Sequence, residues 1–391
     1  MDATEAGDLP SREAEADHAA ASGNPARARE LLEMVTAASP ERIEPWLKLA
    51  AMCRADGDID AALRAVSGAL RVDPLAFLPL LLKANLLDAA ARPQEAGEAY
   101  GHALAQLPDE VPAHLAAPVA KARSRHQAHV AQGAERLARA AEATLAPAAP
   151  REKSRIARFQ SNILRTTRAY HSEPTHFHYP GLVEREFHDR EDFPWLVELE
   201  KATEAITADF HRVMAAERAE LVPYIQYPDD VPLRQWAALN RNRDWTAIHL
   251  LQNGVMIDAN ARHCPATMAL LDRFDQPRIP RRSPNAMFSL LAPGAHIPPH
   301  TGVANTRLVV HLPLIVPEGC WFRVGAETRH WRRGEAWVFD DTIEHEAENP
   351  SDQLRVIFII DAWHPGLAPV ERTAVAAVME ATDAVAREGG L

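Results

Sequence analysis

The chain has 391 residues, of which 47% are hydrophobic and 25% are charged, a balance that is typical of a globular protein with two or three domains. Its 42 lysines and arginines against 54 aspartates and glutamates give a net charge of −12, which argues against a non-specific nucleic-acid binder. The three cysteines, Cys53, Cys264 and Cys320, lie far apart and form no CxxC motif. We therefore expect neither a disulfide framework nor a zinc finger, and we expect a cytoplasmic protein in a reducing compartment.

The N-terminal residues 1–20 are acidic and lack the apolar core of a signal peptide, and we predict that they form a disordered arm. The most apolar run, residues 75–87, is too short to cross a bilayer and contains Pro79 and Lys83. We therefore expect no membrane span.

Residues 21–145 are rich in alanine and repeat with a period of about 34 residues. The period is marked by three alanines and three prolines: Ala28, Ala62, Ala96, Pro40, Pro74 and Pro108. Two amphipathic helices in each repeat of this length are typical of tetratricopeptide (TPR) repeats, in which small residues let the helices approach and proline ends the second helix. A generic alanine-rich bundle is the alternative. TPR-like repeats usually bind a peptide or a protein partner.

Residues 146–172 include the segment APAAPREKS and are predicted to be a linker, after which tryptophan, histidine and proline become common. From about Ala286 onward, short apolar segments alternate with period two between turn residues, as β-strands do. We predict an α+β multidomain protein. Its helical repeats are followed, in residues 173–391, by a double-stranded β-helix (a jelly-roll or cupin-like barrel) with flanking helices, or by a β-sandwich.

Two histidines and one arginine of this second domain suggest a metal centre. His300 and His345 each lie on a turn beside a strand, and Arg355 lies in the apolar strand LRVIFII. A buried arginine is costly unless it meets an anion, so this set suits iron(II) with a dicarboxylate co-substrate. The carboxylate that usually completes a non-haem iron site is missing, because Gly302 stands in its place.

Plainer interpretations remain open for the same residues. His300 and His345 could be ordinary turn histidines, and Arg355 could form a structural ion pair. We interpret a second histidine cluster, which has no arginine partner, as solvated or packing side chains: His171, His176 and His178.

Four stretches together resemble the aspartyl/asparaginyl β-hydroxylase family of iron(II)/2-oxoglutarate oxygenases. They are YPGLVEREFHDREDFPWLVELE, PPHTGVANTRLVVHLPL, FDDTIEHE and LRVIFIIDAWHP, and they occur in the family's order within residues 175–366. Members of this family are similar in lacking the usual carboxylate ligand, since two histidines and water hold the iron. The resemblance thus makes Gly302 an expected feature.

The resemblance also implies a role for each candidate site residue. These roles are iron ligand for His300 and His345; 2-oxoglutarate contact for Arg355, His311 and Ser289; hydrogen-bond partner of metal-bound water for Asp341; and substrate contact for Arg307. Plainer interpretations again remain, namely a core histidine for His311, a strand serine for Ser289 and a turn cap for Asp341. One departure is Val309, where the family often has a second arginine, so the contacts to 2-oxoglutarate at this point stay open.

The resemblance implies a dioxygenase that uses Fe(II), 2-oxoglutarate and O2 to hydroxylate a C–H bond. We expect the β-carbon of Asp or Asn in a peptide or protein as the target, with the TPR-like repeats presenting the substrate. The alternatives are a lipid A acyl chain, a free amino acid or a natural-product peptide as substrate. A further alternative is a non-catalytic interaction protein with a degenerate barrel.

Overall fold

The computed structural model describes residues 9–216, 221–228, 230 and 233–388. Contacts divide the chain into two compact units, Met1–Thr166 and Thr167–Leu391. The division falls inside the predicted linker, residues 146–172. The predicted outer limits of the two domains are not tested by this division and stay predictions.

The described part of the first unit is helical. Its helices are α1 (Leu9–Ala21), α2 (Pro25–Ala38), α3 (Ile43–Ala55), α4 (Ile59–Val72), α5 (Phe77–Ala89), α6 (Pro93–Leu104), α7 (Ala116–Leu145) and α8 (Pro150–Ile163). Each helix packs against the next one along the chain. The starts of α1, α3 and α5 are evenly spaced by one repeat period, and so are the starts of α2, α4 and α6, which confirms the predicted helical repeats.

The two sequence markers of the period have clear structural roles. The alanines Ala28, Ala62 and Ala96 are buried, so they allow the close helix packing that their small size predicts. Helices α2 and α4 end two residues before Pro40 and Pro74. Proline cannot continue a helix, which explains these ends.

The predicted disordered arm is corrected in part, because residues 9–21 form α1; residues 1–8 lie outside the described part of the chain. Ala16 of α1 belongs to the same buried core as Leu31. Glu13 pairs with Arg42 at 2.8 Å and with Lys48 at 3.1 Å. The acidic side chains of this segment therefore hold α1 on the repeats.

The predicted linker is also corrected, since it contains α8. The side-chain amide of Gln160 donates to the carbonyl of Leu137 in α7 at 3.1 Å, and Leu164 lies beside Gly133. No side chain of α8 is fully buried, which explains why no core helix was predicted in this segment.

The described part of the second unit contains two antiparallel sheets. The strands are β1 (Val222–Pro223), β2 (Trp245–Gln252), β3 (Val255–Met256), β4 (Ala286–Leu291), β5 (His296–His300), β6 (Arg307–Ile315), β7 (Trp321–Val324), β8 (Glu327–His330), β9 (Trp337–Phe339), β10 (His345–Glu348) and β11 (Arg355–Trp363). One sheet has the order β1-β2-β4-β11-β6-β9, with β3 on β2, and the other has the order β5-β10-β7-β8. The predicted α+β organisation is thus confirmed, and the strands of both sheets are antiparallel.

Helices accompany the sheets in the described part of this unit: α9 (Leu196–Lys201), α10 (Thr203–Met214), α11 (Asp258–Ala261), α12 (Pro265–Leu271) and α13 (Pro369–Glu388). The larger sheet is buried on both faces. On β6, Leu308 and Val310 enter the core shared with α9, α10 and α12, whereas Val309 enters the core shared with the smaller sheet. Burial on both faces explains the continuous apolar runs of β6 and β11.

None of the described helices combines the length and the apolar character needed to span a bilayer. Cys53, Cys264 and Cys320 are all buried free thiols.

The loops inside the three repeats share one backbone feature. Gly23, Gly57 and Ala91 occupy equivalent positions in successive repeats and have positive φ angles of 79°, 78° and 56°. Only glycine adopts this conformation without a steric cost, so Ala91 carries strain that its two equivalents avoid.

Replacing Ala91 by glycine is expected to raise the free energy of unfolding by about 0.5–1 kcal/mol, because the strain at positive φ is removed. Urea denaturation followed by far-ultraviolet circular dichroism measures the change. Gly57→Ala is the matched control, and it should lower the stability by about 1 kcal/mol. Its added Cβ has no neighbour within 4 Å, so the cost is conformational only. A loss of stability in Ala91→Gly would contradict this account.

Candidate functional site

All seven candidate site residues line one cavity of ≈ 180 Å³. They are Ser289, His300, Arg307, His311, Asp341, His345 and Arg355. They come from strands of both sheets and from the turn before β10, so the cavity lies between the sheets. The structure therefore brings together residues that are up to 66 positions apart in the sequence.

His300 and His345 lie side by side on neighbouring strands of the smaller sheet. They are register partners on β5 and β10, and their ring centroids are 4.1 Å apart. The Nδ1 atom of His300 lies 2.8 Å from the carbonyl oxygen of Pro298, and that of His345 lies 3.0 Å from the carbonyl oxygen of Ile343. A carbonyl oxygen only accepts, so each Nδ1 carries the hydrogen and each Nε2 keeps a free lone pair.

Burial keeps both imidazoles neutral. It lowers the pKa of His300 to about 4. Burial also lowers the pKa of His345 well below its usual range, and the neighbouring His300 adds to this effect. Two neutral rings with free Nε2 atoms are the form in which histidine binds a metal ion.

Gly302 leaves room for the carboxylate of Asp341. A Cβ atom built on Gly302 would overlap this carboxylate, and the Gly302 amide donates to the Asp341 carbonyl at 2.6 Å. A larger side chain at position 302 is therefore excluded while Asp341 keeps its position. Within the described ranges, no group of three His, Cys, Asp or Glu side chains could hold a metal ion.

Asp341 and Arg307 form one side of the cavity. Arg307 donates to Asp341 at 3.2 Å and to Asp361 at 3.3 Å. Burial lowers the pKa of Arg307, but the two carboxylates outweigh it and raise the pKa above its usual value. Burial raises the pKa of Asp341, and Arg307 opposes this shift. Oδ1 of Asp341 is buried without a hydrogen-bond partner among the described residues.

Arg355 lies at another side of the cavity. It is 1% exposed, and its Nε and Nη2 atoms have no hydrogen-bond partner in the described part of the chain. Its guanidinium lies over Trp331, 5.0 Å from the ring centroid. Burial lowers the pKa of Arg355 to about 10, so the group stays charged at neutral pH. Burying a guanidinium without a carboxylate partner is costly, and such a group could bind an anion.

Other polar groups that line the same cavity also have unused hydrogen-bonding capacity. Nδ1 of His311 and Nε1 of Trp331 are buried without partners among the described residues. Ser289 accepts a hydrogen bond from Trp245 at 3.0 Å, which leaves the serine hydroxyl hydrogen free to donate. With Arg355, these groups form a pocket suited to a carboxylate.

The residues between β1 and β2 add a wall that the sequence reasoning missed. Tyr224 stacks on Trp245 at 3.9 Å with an interplanar angle of 10°, and Trp236 lies 5.2 Å from the ring of His300. Gln235 holds the residue after His300, because its amide donates to the Thr301 carbonyl at 2.8 Å and accepts from the Thr301 amide at 3.1 Å. The concentration of aromatic residues in this irregular segment was the available sequence signal.

The histidines of the second cluster lie away from the cavity lining. His171 pairs with Glu184 at 3.1 Å, which fits its interpretation as a solvated side chain. His296, on the strand that carries His300, also lies outside the lining and pairs with Glu346 at 3.1 Å.

Comparison with known proteins identifies the family of the second unit. The profile of the aspartyl/asparaginyl β-hydroxylase family matches residues 200–365, which include every candidate site residue. The mouse aspartyl/asparaginyl β-hydroxylase is 39% identical over 152 residues, covering 39% of this chain and 20% of that protein. The ornithine lipid ester-linked acyl 2-hydroxylase of Rhizobium tropici is 34% identical over 201 residues, covering 51% of this chain and 67% of that protein. The chain belongs to the aspartyl/asparaginyl β-hydroxylase family.

The chain spans about one fifth of the length of the mouse and human β-hydroxylases that it matches. Among solved structures, the Yersinia enterocolitica type III secretion chaperone SycD in complex with a peptide of the translocator YopD is similar to 32% of this chain. The match covers 93% of that chain, with 17% identity and a TM-score of 0.29.

Gly302→Ala is expected to lower the free energy of unfolding by about 1–3 kcal/mol, because the new methyl group overlaps the carboxylate of Asp341. In an Asp341→Ala background the same change should cost much less, since the space is then free. Chemical denaturation of the four proteins in this double-mutant cycle measures the coupling. Equal costs in both backgrounds would show that the two residues are not in contact.

A pH-dependent stability is expected from the neighbouring Asp340. Its carboxylate accepts from the amide of Thr342 at 2.9 Å, and burial raises its pKa to about 7. The folded state therefore prefers the protonated acid, and stability falls as the pH rises from about 4 towards 7. Asp340→Asn keeps the acceptor and removes the charge. We expect a smaller loss of thermal stability between pH 5 and pH 8 in this variant than in the unchanged protein.

Proposed function

We propose that the second unit is an iron(II)- and 2-oxoglutarate-dependent dioxygenase that hydroxylates a C–H bond of a peptide or protein. The observation that carries the proposal is one cavity that holds both a pair of neutral histidines and a buried guanidinium without a partner among the described residues. The first suits a metal ion and the second suits a dicarboxylate. Membership of a family that includes hydroxylases supports the reaction type.

His300 and His345 would hold the metal through Nε2. Their Nδ1 hydrogen bonds to Pro298 and Ile343 fix both the tautomer and the ring orientation. Iron(II), when bound there, supplies the chemistry by which O2 converts 2-oxoglutarate to succinate and CO2 and one oxygen atom enters a C–H bond. Asp341 would accept a hydrogen bond from water on the metal through Oδ1, which has no other partner among the described residues.

Arg355 would bind the distal carboxylate of 2-oxoglutarate. The hydroxyl of Ser289 and the ring of His311 line the same cavity and would complete this carboxylate site. The charge of Arg355 already lies in a desolvated position, so the anion gains a strong interaction when it enters. Tyr224, together with Trp245, would keep water from the reacting groups.

The strand order of the second unit supports the predicted barrel. From β4 to β11, the chain contributes strands to the two sheets in the order larger, smaller, larger, smaller, smaller, larger, smaller, larger. This alternation is what a double-stranded β-helix requires, and we propose that architecture for residues 286–363.

The proposed substrate is the side chain of Asp or Asn, hydroxylated at its β-carbon. Arg307 borders the cavity between Asp341 and Asp361 and would contact the substrate through hydrogen bonds. The helical repeats of the first unit would bind the flanking peptide. The free cysteines fit a reducing cytoplasm as the place of reaction.

An acyl chain is a second candidate substrate. One observation favours it. The chain matches the Rhizobium tropici acyl 2-hydroxylase over 201 residues, which is longer than its match of 152 residues to the mouse β-hydroxylase. Val309, an uncharged lining residue, is compatible with an apolar substrate.

The test of the proposal is succinate formation in the presence of iron(II), ascorbate, O2 and 2-oxoglutarate. We expect turnover by the unchanged protein, and candidate peptides and lipids should gain the mass of one oxygen atom. His300→Ala and His345→Ala should each abolish succinate formation, because each removes one of the two proposed ligands. Arg355→Gln should raise the 2-oxoglutarate concentration for half-maximal rate by about ten- to a hundredfold, since a charged hydrogen-bond pair is lost.

Arg329→Gln is the matched control for Arg355→Gln. Arg329 pairs with Glu327 on β8 and does not line the cavity. Its loss should leave the 2-oxoglutarate requirement unchanged. No succinate and no retained metal in the unchanged protein would favour a non-catalytic interaction protein.

A further inference from the structure

Helix α8 combines a basic charge with apolar side chains that face solvent. Helix α8 contains four basic residues and one acidic residue, whereas the whole chain has a net charge of −12. On the same helix, Phe159 is 60% exposed and Ile163 is 51% exposed. The two side chains lie one helical turn apart, so they form a small apolar patch on a basic helix, which is the composition of helices that lie at a membrane surface.

Another side of α8 packs against α7 of the first unit. Gln160 donates to the Leu137 carbonyl, and Leu164 contacts Gly133 of α7. At about 100° per residue, Phe159 points about 100° away from Gln160 and 140° away from Leu164 around the helix axis. The contacts to α7 therefore leave the side that carries Phe159 uncovered.

Two arginines of α8 precede the exposed apolar pair, Phe159 and Ile163, along the helix. Arg155 lies one turn before Phe159 on the same side, and Arg151 lies one turn earlier. Both arginines are exposed. Apolar side chains beside a row of arginines match the boundary between acyl chains and anionic headgroups.

We infer that α8 is a membrane-surface contact, which binds bilayers rich in anionic lipid without spanning them. Phe159 and Ile163 enter the acyl boundary, and the arginines meet the headgroup phosphates. A lipid surface fits better than a protein partner because two side chains on one convex helix are far fewer than the about 20–30 residues a side of a stable protein interface. The inference is independent of the proposed enzymatic function.

The test uses the full chain and sedimentation with lipid vesicles. The probes are vesicles of phosphatidylcholine alone and vesicles that also contain about 30% phosphatidylglycerol, the anionic component. We expect at least tenfold stronger binding to the anionic vesicles and a decrease with added salt. Arg155→Glu should weaken binding by about 25-fold, because the headgroup field contributes about fivefold per charge and the net change is two charges.

Two further variants distinguish binding through the α8 surface from an effect of the overall charge of the protein. Phe159→Ser should also weaken binding, since it removes the apolar contact. Arg139→Glu on α7 makes the same charge change as Arg155→Glu at a position that is 77% exposed. It should change the binding by less than twofold. Circular dichroism checks that each variant keeps its helices.

Three results would overturn the inference. These are absence of binding to anionic vesicles, equal binding to both vesicle types, and an equal effect of Arg139→Glu and Arg155→Glu. A protein-covered α8 surface would give the first result.

Discussion

The buried guanidinium of Arg355 is the constraint on which the organisation of the second unit depends. Its strand, β11, pairs with both β4 and β6 at the centre of the larger sheet, so the charge lies within the fold and cannot turn to solvent. A buried charge without a carboxylate partner among the described residues is costly, and an anionic ligand would offset that cost. Ser289 and His311 line the same cavity because they come from the two strands that flank β11.

Strand register places the rest of the site relative to this charge. The pairing of β5 with β10 puts His300 opposite His345 without any loop having to close over them. Sites that are built on strands are held more rigidly than sites on loops. The turn that precedes β10 brings in Asp341, and the absence of a side chain at Gly302 gives its carboxylate the space it needs. The polar groups of the cavity are therefore held in position before any ligand binds.

Sequence patterns predicted much of this architecture, and the exceptions have physical reasons. The regular repeat period and the runs of apolar residues report burial directly, so the repeats and the central strands could be predicted. Helix α1 could not, because ion pairs of Glu13 rather than a large apolar face hold it in place. The aromatic wall around Trp236 was missed because it lies in an irregular segment, where neither period two nor period 3.6 applies. The side chain of Gln235 binds the backbone of Thr301, and a contact to backbone atoms leaves no pattern in the sequence.

The aromatic wall also gives the molecule an optical property. Two indole rings, Trp236 and Trp245, lie 5.2 Å and 5.8 Å from the ring of His300. A paramagnetic or strongly absorbing ion on that histidine would lie within energy-transfer range of both fluorophores and would quench their emission. The protein thus contains a built-in spectroscopic reporter for the occupancy of this cavity, which needs neither turnover nor knowledge of the substrate.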